Sequence, residues 1–203
     1  MLQEDLERAL ADMWEWKQRQ NDMLDWITKY IYEARTYDNF LERTKKCIQD
    51  HPNINARELF DYALNRRYNF KISDYAESIF LEQDNVEDEP NQKHKEIDFY
   101  INAIPFDLKM SVFPKKYTKD INYALEHKED LIHRMYKNCS QEQRLHNWNK
   151  LFIVCYSSEW NHNRVKWDLD AIREAVNKYM ETYDESELYI EDNSLSDIIF
   201  IIK

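Results

Sequence analysis

Glycine is absent from all 203 residues of the chain, and no other feature of the sequence narrows the choice of folds and sites as far. Loops that cradle phosphate groups are rich in glycine because this residue lets the backbone approach a ligand closely and adopt positive φ angles. The P-loop and the dinucleotide-binding fingerprint are therefore both excluded. Most enzymes that bind nucleotide cofactors are excluded with them.

The length and the hydrophobic content of 43% predict one sizeable core. We expect a single domain over residues 1–203, in which a helical N-terminal extension over 1–70 precedes an α/β core over 71–203. No run of about 18 apolar residues occurs, and the first residues lack a basic segment before an apolar one, so neither a membrane span nor a signal peptide is expected. These features predict a cytoplasmic protein with no membrane partner.

The three cysteines, Cys47, Cys139 and Cys155, are odd in number and far apart. None belongs to a C-x-x-C pair, which argues against a disulfide framework and against a thiolate zinc site. The histidines show neither H-x-x-x-H nor H-E-x-x-H spacing, which disfavours a zinc hydrolase. We expect reduced cysteines that pack in the interior.

The net charge of −11, taken alone, speaks against a nucleic-acid partner. Its distribution is uneven, because residues 109–166 contain eleven Lys and Arg against six Asp and Glu and so carry +5, which leaves −16 for the rest of the chain. A basic span beside a metal site suits a polyphosphate ligand. An ordinary solvated face is the alternative.

Apolar and polar residues alternate over residues 97–101 and again over 106–110, which predicts two half-buried strands joined by a short turn. Asp98 is polar in the first strand, and Asp107 and Lys109 are polar in the second. Because side chains alternate across a strand, residues two apart face the same way. Asp107 and Lys109 are therefore expected on one face, with the apolar residues on the other.

These two strands resemble the core of the PD-(D/E)XK nuclease superfamily, in which one strand carries an acid and the next carries Asp or Glu, any residue, and Lys. Asp98 matches the first acid, Asp107 the second and Lys109 the lysine. The resemblance covers roughly residues 73–157 and implies a restriction-endonuclease-like core, a small mixed β-sheet flanked by helices. It also implies a metal-dependent nuclease that holds Mg²⁺ or Mn²⁺ through both acids and the carbonyl of Leu108, cleaves nucleic acid, most often DNA, and serves restriction or defence.

A metal ion bound by both Asp98 and Asp107 would determine where the turn between the two predicted strands lies. Two carboxylates that bind one Mg²⁺ both lie about 2.0 to 2.1 Å from it, and in an antiparallel hairpin the closest side chains belong to directly opposed residues. Opposing Asp98 to Asp107 puts the turn at Asn102 and Ala103, where Asn tolerates positive φ. A turn at residues 104–105 would separate the acids by about four residues, roughly 13 Å.

Flanking residues add candidates to the site. Ser73 is a suitable cap for a helix over 74–83. In the resembled family a helix before the first core strand often contributes a Glu near the metal, which implies Glu77. The family also often places a Gln or a basic residue near the site after the hairpin, which implies phosphate contacts from Gln143 and Arg144. A solvated helix surface is the alternative for all three.

Residues 2–33 show apolar residues at three- and four-residue spacing and predict one long helix. Such a helix packs within the molecule or pairs with its copy in a homodimer. Further helices and strands follow from the same periodicities. The predicted helices cover 37–49, 55–67 with Asn55 as cap, 119–137 and 169–183, the predicted strands cover 151–156, 188–190 and 198–202, and a loop covers 84–95.

Three functions remain open at this stage. The first is the metal-dependent nuclease. The second is a nuclease-like module that binds nucleic acid or protein without cutting, because an acid and an Asp-x-Lys on exposed strands also form ordinary cross-strand ion pairs. The third is a scaffold or regulatory protein that acts through its long N-terminal helix.

Overall fold

A computed structural model describes residues 4–5, 7–8, 21–91, 94, 96–139, 148–159, 162–191 and 193–203. The chain forms two compact units, Met1–Ile72 and Ser73–Lys203. None of the helices in these described ranges combines the length and the apolar composition that a membrane span requires.

Helices make up the described part of the first unit. They are α1 (Asp22–Ile27), α2 (Tyr37–Asp50) and α3 (Ala56–Phe80), of which residues 73–80 belong to the second unit. Their apolar faces bury a cluster of Leu24, Cys47, Leu59 and Tyr62. The predicted helix over 37–49 is confirmed as α2. Asn55 is confirmed as the cap of α3, because its side chain accepts from the backbone N–H groups of Arg57 and Glu58, both at 3.0 Å.

The N-terminal region differs from the single helix predicted over residues 2–33. Asn21 has an extended backbone (φ −141°) and caps α1, and its side chain accepts from the backbone N–H of Leu24 (3.1 Å). A 3₁₀ turn at Lys29–Tyr32 follows α1. The continuous helix is therefore wrong, because the Asn21 side chain satisfies a backbone donor at a new helix start. Residues 9–20 lie outside the described residues, and a dimer seam in this region stays a prediction.

One helix, α3, replaces the two predicted over 55–67 and 74–83. Tyr68 and Ile72 are 2% and 0% exposed, and residues four apart lie on one face of a helix. Their burial favours continuing the helix through Ser73, and no proline or glycine interrupts it. The prediction that Ser73 caps a separate helix is wrong.

A mixed sheet of six strands forms the centre of the second unit in the described residues. The strands are β1 (Val86–Asp88), β2 (Phe99–Ile101), β3 (Ile104–Val112), β4 (Lys150–Tyr156), β5 (Tyr189–Glu191) and β6 (Ser194–Ile202). Their spatial order is β1-β2-β3-β4-β6-β5. The strands β1, β2 and β3 are antiparallel, β3, β4 and β6 are parallel, and β5 is antiparallel to β6.

Helices flank this sheet, which confirms the predicted mixed α/β fold with a sheet flanked by helices. The remaining helices are α4 (Ile121–Glu126), α5 (Lys128–Cys139), α6 (His162–Val165) and α7 (Leu169–Glu181).

The hairpin of β2 and β3 turns at Asn102 and Ala103, as predicted. Their φ angles are 49° and 67°, and Ile101 pairs with Ile104 across the turn. A two-residue turn with positive φ at both positions matches the right-handed twist of the strands that it joins. Asn102 tolerates this conformation, whereas Ala103 adopts it against the steric effect of its Cβ.

Elements after α3 follow the predicted order with two changes. Residues 119–137 form α4 and α5 instead of one helix, because His127 leaves the helical conformation between them (φ −134°). The loop predicted over 84–95 contains β1, which pairs with the backbone groups that the edge of β2 would otherwise expose. The predictions over 151–156 and 169–183 are confirmed by β4 and α7.

The core of the second unit lies against β4 and β6. The strand predicted over 198–202 lies within β6, and the strand predicted over 188–190 is found one residue later, as β5. Every residue of β4 except its last is buried. One core cluster on the sheet consists of Phe113, Ala124, Leu131, Ile132, Met135, Phe152, Val154 and Ile198. This packing fixes β4 beside β3, the strand that carries the predicted Asp-x-Lys motif.

Candidate functional site

The hairpin brings Asp98 and Asp107 together. Phe99 pairs with Phe106, and one more step in this register opposes the two aspartates. The backbone N–H of Asp98 donates to the Phe106 carbonyl (2.8 Å), and the backbone N–H of Leu108 donates to Oδ2 of Asp98 (2.7 Å). These bonds hold the Asp98 carboxyl at the start of β2, beside the strand that carries Asp107.

Both oxygens of Asp107 bind ammonium groups. Oδ1 accepts from Nζ of Lys109, and Oδ2 accepts from Nζ of Lys150 at 3.0 Å. The Asp107 and Lys150 side chains are 8% and 7% exposed, whereas that of Lys109 is 45% exposed. Asp107 and Lys109 therefore share one face of β3, as their two-residue spacing predicts.

Sequence reasoning missed Lys150. It begins β4, and the parallel register places it directly beside Asp107. One signal was present in the sequence, since Lys150 is the charged residue immediately before the apolar run at 151–156. A lysine at the start of a buried strand needs a partner, because an unpaired buried charge is strongly unfavourable.

Burial raises the pKa of Asp98 above its ordinary value. The Leu108 N–H opposes this shift, the charge of Asp107 and a hydrogen bond with that carboxyl add to it, and Lys109 lowers the pKa again. Two carboxyls in hydrogen-bonding contact repel each other when both are ionised. The two ammonium groups offset the charge of Asp107, whereas Asp98 holds its carboxyl beside that group in a partly buried place.

Glu77 lies on α3 near Asp98. Burial, together with the smaller effect of the charges of Asp98, Asp74 and Asp88, raises the pKa of Glu77 to about 7. Glu77 and Asp98 interact through their charges. In the described part of the chain, no three side chains of His, Cys, Asp or Glu come close enough to hold a metal ion as a group. Glu77 thus belongs to the surroundings of the Asp98 and Asp107 pair without joining it in a three-carboxylate cluster.

Two other candidates lie outside the described residues, namely Gln143 and Arg144. Their predicted phosphate contacts stay predictions. Glu82, which follows α3, accepts a hydrogen bond from the guanidinium of Arg173 (Nη2 to Oε1, 3.1 Å).

The donor chemistry of the site suits a hard divalent cation. Mg²⁺ is commonly held by one or two carboxylates and completes its shell with water and substrate oxygens, and oxygen ligands favour Mg²⁺ or Mn²⁺ over zinc. Asp98 and Asp107 supply two such carboxylates side by side. A divalent cation held by these two residues would offset the charge of Asp107, which adds to the effect of burial on the pKa of Asp98.

Comparisons with protein-family models, with curated proteins and with solved structures find no match to this chain.

Proposed function

We propose that the protein is a metal-dependent nuclease that hydrolyses phosphodiester bonds, with DNA as the expected substrate and restriction or defence as the expected setting. The observation that supports this most is the turn at Asn102 and Ala103, which opposes Asp98 to Asp107. The hairpin of β2 and β3, the helices α4 and α5 and the buried strand β4 follow one another along the chain, an order that resembles the core of the PD-(D/E)XK superfamily. We therefore propose a restriction-endonuclease-like core for residues 73–203.

Phosphodiester hydrolysis near neutral pH needs an activated water, neutralisation of growing negative charge and a stabilised leaving oxygen. Bound Mg²⁺ or Mn²⁺ supplies an activated water and charge neutralisation. Asp98 and Asp107 would hold the ion, and the resemblance adds the Leu108 carbonyl and Glu77. The described geometry places the two aspartates together and leaves Glu77 as a neighbouring charge.

Lys109 provides the cationic group that the reaction needs beside the acids. Its side chain is 45% exposed and binds Oδ1 of Asp107, so its ammonium can reach solvent and a phosphate that enters the site. There it would orient the attacking water or stabilise the charge that develops on the phosphate. Lys109 thus carries the role that the Asp-x-Lys motif implies.

A matched set of variants tests this function. Calorimetric titration of Mn²⁺ into wild type and Asp107→Asn should show at least about a tenfold weaker binding in the variant, because one of two carboxylates is lost. Cleavage of duplex DNA, single-stranded DNA and RNA by Lys109→Met should fall by about a hundredfold or more. Lys116→Met removes an exposed lysine after β3 and should leave both properties unchanged.

The outcomes separate the candidate functions. Mn²⁺ binding without cleavage of any of the three substrates supports the metal site and leaves the choice of substrate open. Wild-type protein that binds no Mn²⁺ contradicts the nuclease proposal and favours the second candidate, a nuclease-like module that binds without cutting. One observation favours that candidate, because both oxygens of Asp107 are already occupied by Lys109 and Lys150.

A further inference from the structure

Two lysines bind the same carboxylate of Asp107, but their surroundings differ. The ion pair of Lys150 and Asp107 is buried, with 7% and 8% of the side chains exposed. Lys109 is 45% exposed and binds through a flexible side chain from the same strand. A buried ion pair is strongly unfavourable to break because it leaves an uncompensated charge, whereas an exposed pair contributes little.

The ammonium of Lys150 is also confined by an aromatic ring. Its Nζ lies 5.6 Å from the ring centroid of Tyr136, within the range of a cation–π contact. The Tyr136 hydroxyl donates to the carbonyl of Trp148 (3.0 Å) and shares a hydrogen bond with Oγ of Ser196 (2.6 Å). These two bonds hold the ring in place, and the ring limits where the Lys150 ammonium can move.

The backbone holds the same group in register. Asp107, Lys150 and Ser196 are successive partners across β3, β4 and β6, so they form one buried polar row across three neighbouring strands. Asn149, the residue before Lys150, links the two neighbouring strands. Its side chain donates to the Pro105 carbonyl in β3 (2.9 Å) and accepts from the backbone N–H of Leu195 in β6 (2.8 Å). Lys150 therefore lies in a part of the sheet that side-chain hydrogen bonds stabilise in addition to the backbone pairing.

We infer that Lys150 is a positioning residue of the site, which holds Asp107 through Oδ2 in a fixed orientation beside Asp98, and that Lys109 is the exchangeable ammonium on Oδ1. That the fixed Asp107 carboxylate serves to bind a metal ion rests on the proposed function. The division between a fixed and an exchangeable lysine rests on burial and contacts alone. It is therefore testable without metal or substrate.

Double-mutant cycles on urea unfolding, in EDTA, measure the division directly. One cycle combines Asp107→Asn with Lys150→Met, and a second combines Asp107→Asn with Lys109→Met. The coupling between Asp107 and Lys150 should change the unfolding constant at least about tenfold. The coupling between Asp107 and Lys109 should change it less than about fivefold, as in exposed ion pairs. Equal couplings, or a larger one for Lys109, overturn the inference.

The Lys150→Met variant alone leaves a buried carboxylate short of a partner and is the variant most at risk of unfolding. Removing both charges avoids this, since a buried ion pair is often replaceable by neutral groups together. If Lys150→Met does not fold, Asp107→Asn/Lys150→Met should restore folding by circular dichroism. A double variant that also fails to fold overturns the inference, because Lys150 would then act through another group than Asp107.

A spectroscopic readout separates positioning from support of the fold. Luminescence lifetimes of bound Eu³⁺ in H₂O and D₂O count the waters on the ion, and loss of Asp107 as a ligand should add about one water. Folded Lys150→Met should show the same increase as Asp107→Asn, because the carboxylate is free to turn toward Lys109. Lys128→Met is the matched control, since it breaks another lysine–aspartate pair of this unit (Lys128 to Asp197, 2.8 Å), and it should leave the count unchanged.

The two proposals fail in different ways. An unchanged water count in folded Lys150→Met overturns the positioning role while the metal site stands. Wild-type protein that binds neither Eu³⁺ nor Mn²⁺ contradicts the metal-dependent function, and the unfolding cycles still decide whether Lys150 fixes Asp107.

Discussion

Replacing Glu77 by Gln should remove a pH dependence of stability that this carboxyl introduces. Burial and, to a smaller extent, the neighbouring carboxylates raise its pKa from the ordinary 4.5 to about 7. A folded-state pKa above the unfolded value means that the folded protein binds the proton more tightly. The resulting stabilisation is complete below about pH 4.5 and is lost as the pH rises to about 7.

The magnitude follows from the size of the shift. One pKa unit corresponds to about 1.4 kcal/mol, which gives an upper limit of about 3 kcal/mol for Glu77. Because the side chain is only partly buried and solvent screens its neighbours, we expect about half of this, roughly 1.5 kcal/mol. The wild type should lose this amount relative to Glu77→Gln between pH 4.5 and 7.

Urea unfolding at several pH values, in EDTA, measures the difference. Glu82→Gln is the matched control, because the hydrogen bond from Arg173 lowers the pKa of the exposed Glu82. The sign is then reversed, so its stabilisation is present above the ordinary pKa and is lost only at lower pH. Parallel profiles for wild type and Glu77→Gln across this window would refute the reasoning, since the carboxyl would then titrate alike in the folded and unfolded chains.

Two further predictions concern the turn and the core. Ala103→Gly should stabilise the protein by about 0.5 to 1 kcal/mol in urea unfolding, because glycine adopts positive φ without strain, whereas Asn102→Gly should gain less; equal gains would contradict the strain argument. Cys155 is fully buried and burial raises the pKa of its thiol to about 12, so peptide mass mapping should find it alkylated only in unfolded protein at about pH 8. Rapid alkylation of the native protein would contradict this burial.

The hairpin was predictable because its determinants lie within one short segment. Alternation fixes which residues face together, and Asn102 tolerates the turn conformation that the register requires. The opposition of Asp98 and Asp107 was predicted from these two facts together with the metal ion that both acids share in the resembled family. The prediction of the turn was therefore correct even though the second turn residue, Ala103, is a poor residue for positive φ.

Helix boundaries were less predictable because packing decides them. Burial of Tyr68 and Ile72 continues α3 across Ser73, although this serine also has the chemistry of a helix cap. Conversely, the periodicity of residues 2–33 continues across Asn21, where the structure starts a new helix. In both places a local capping signal competes with the apolar pattern, and the sequence alone does not tell which of them prevails.

Lys150 could not be assigned to the site from the sequence, because its neighbour Asp107 lies 43 residues away and the contact depends on the parallel register of two strands. That register changes the interpretation of the motif that was predicted. If the Asp-x-Lys motif is considered alone, Lys109 is the counter-ion of Asp107. Departure of Lys109 would then leave the buried Asp107 charge uncompensated. With Lys150 on the other oxygen, Asp107 would keep a buried partner if Lys109 departed, so the proposed contact of Lys109 with a phosphate would cost little stability.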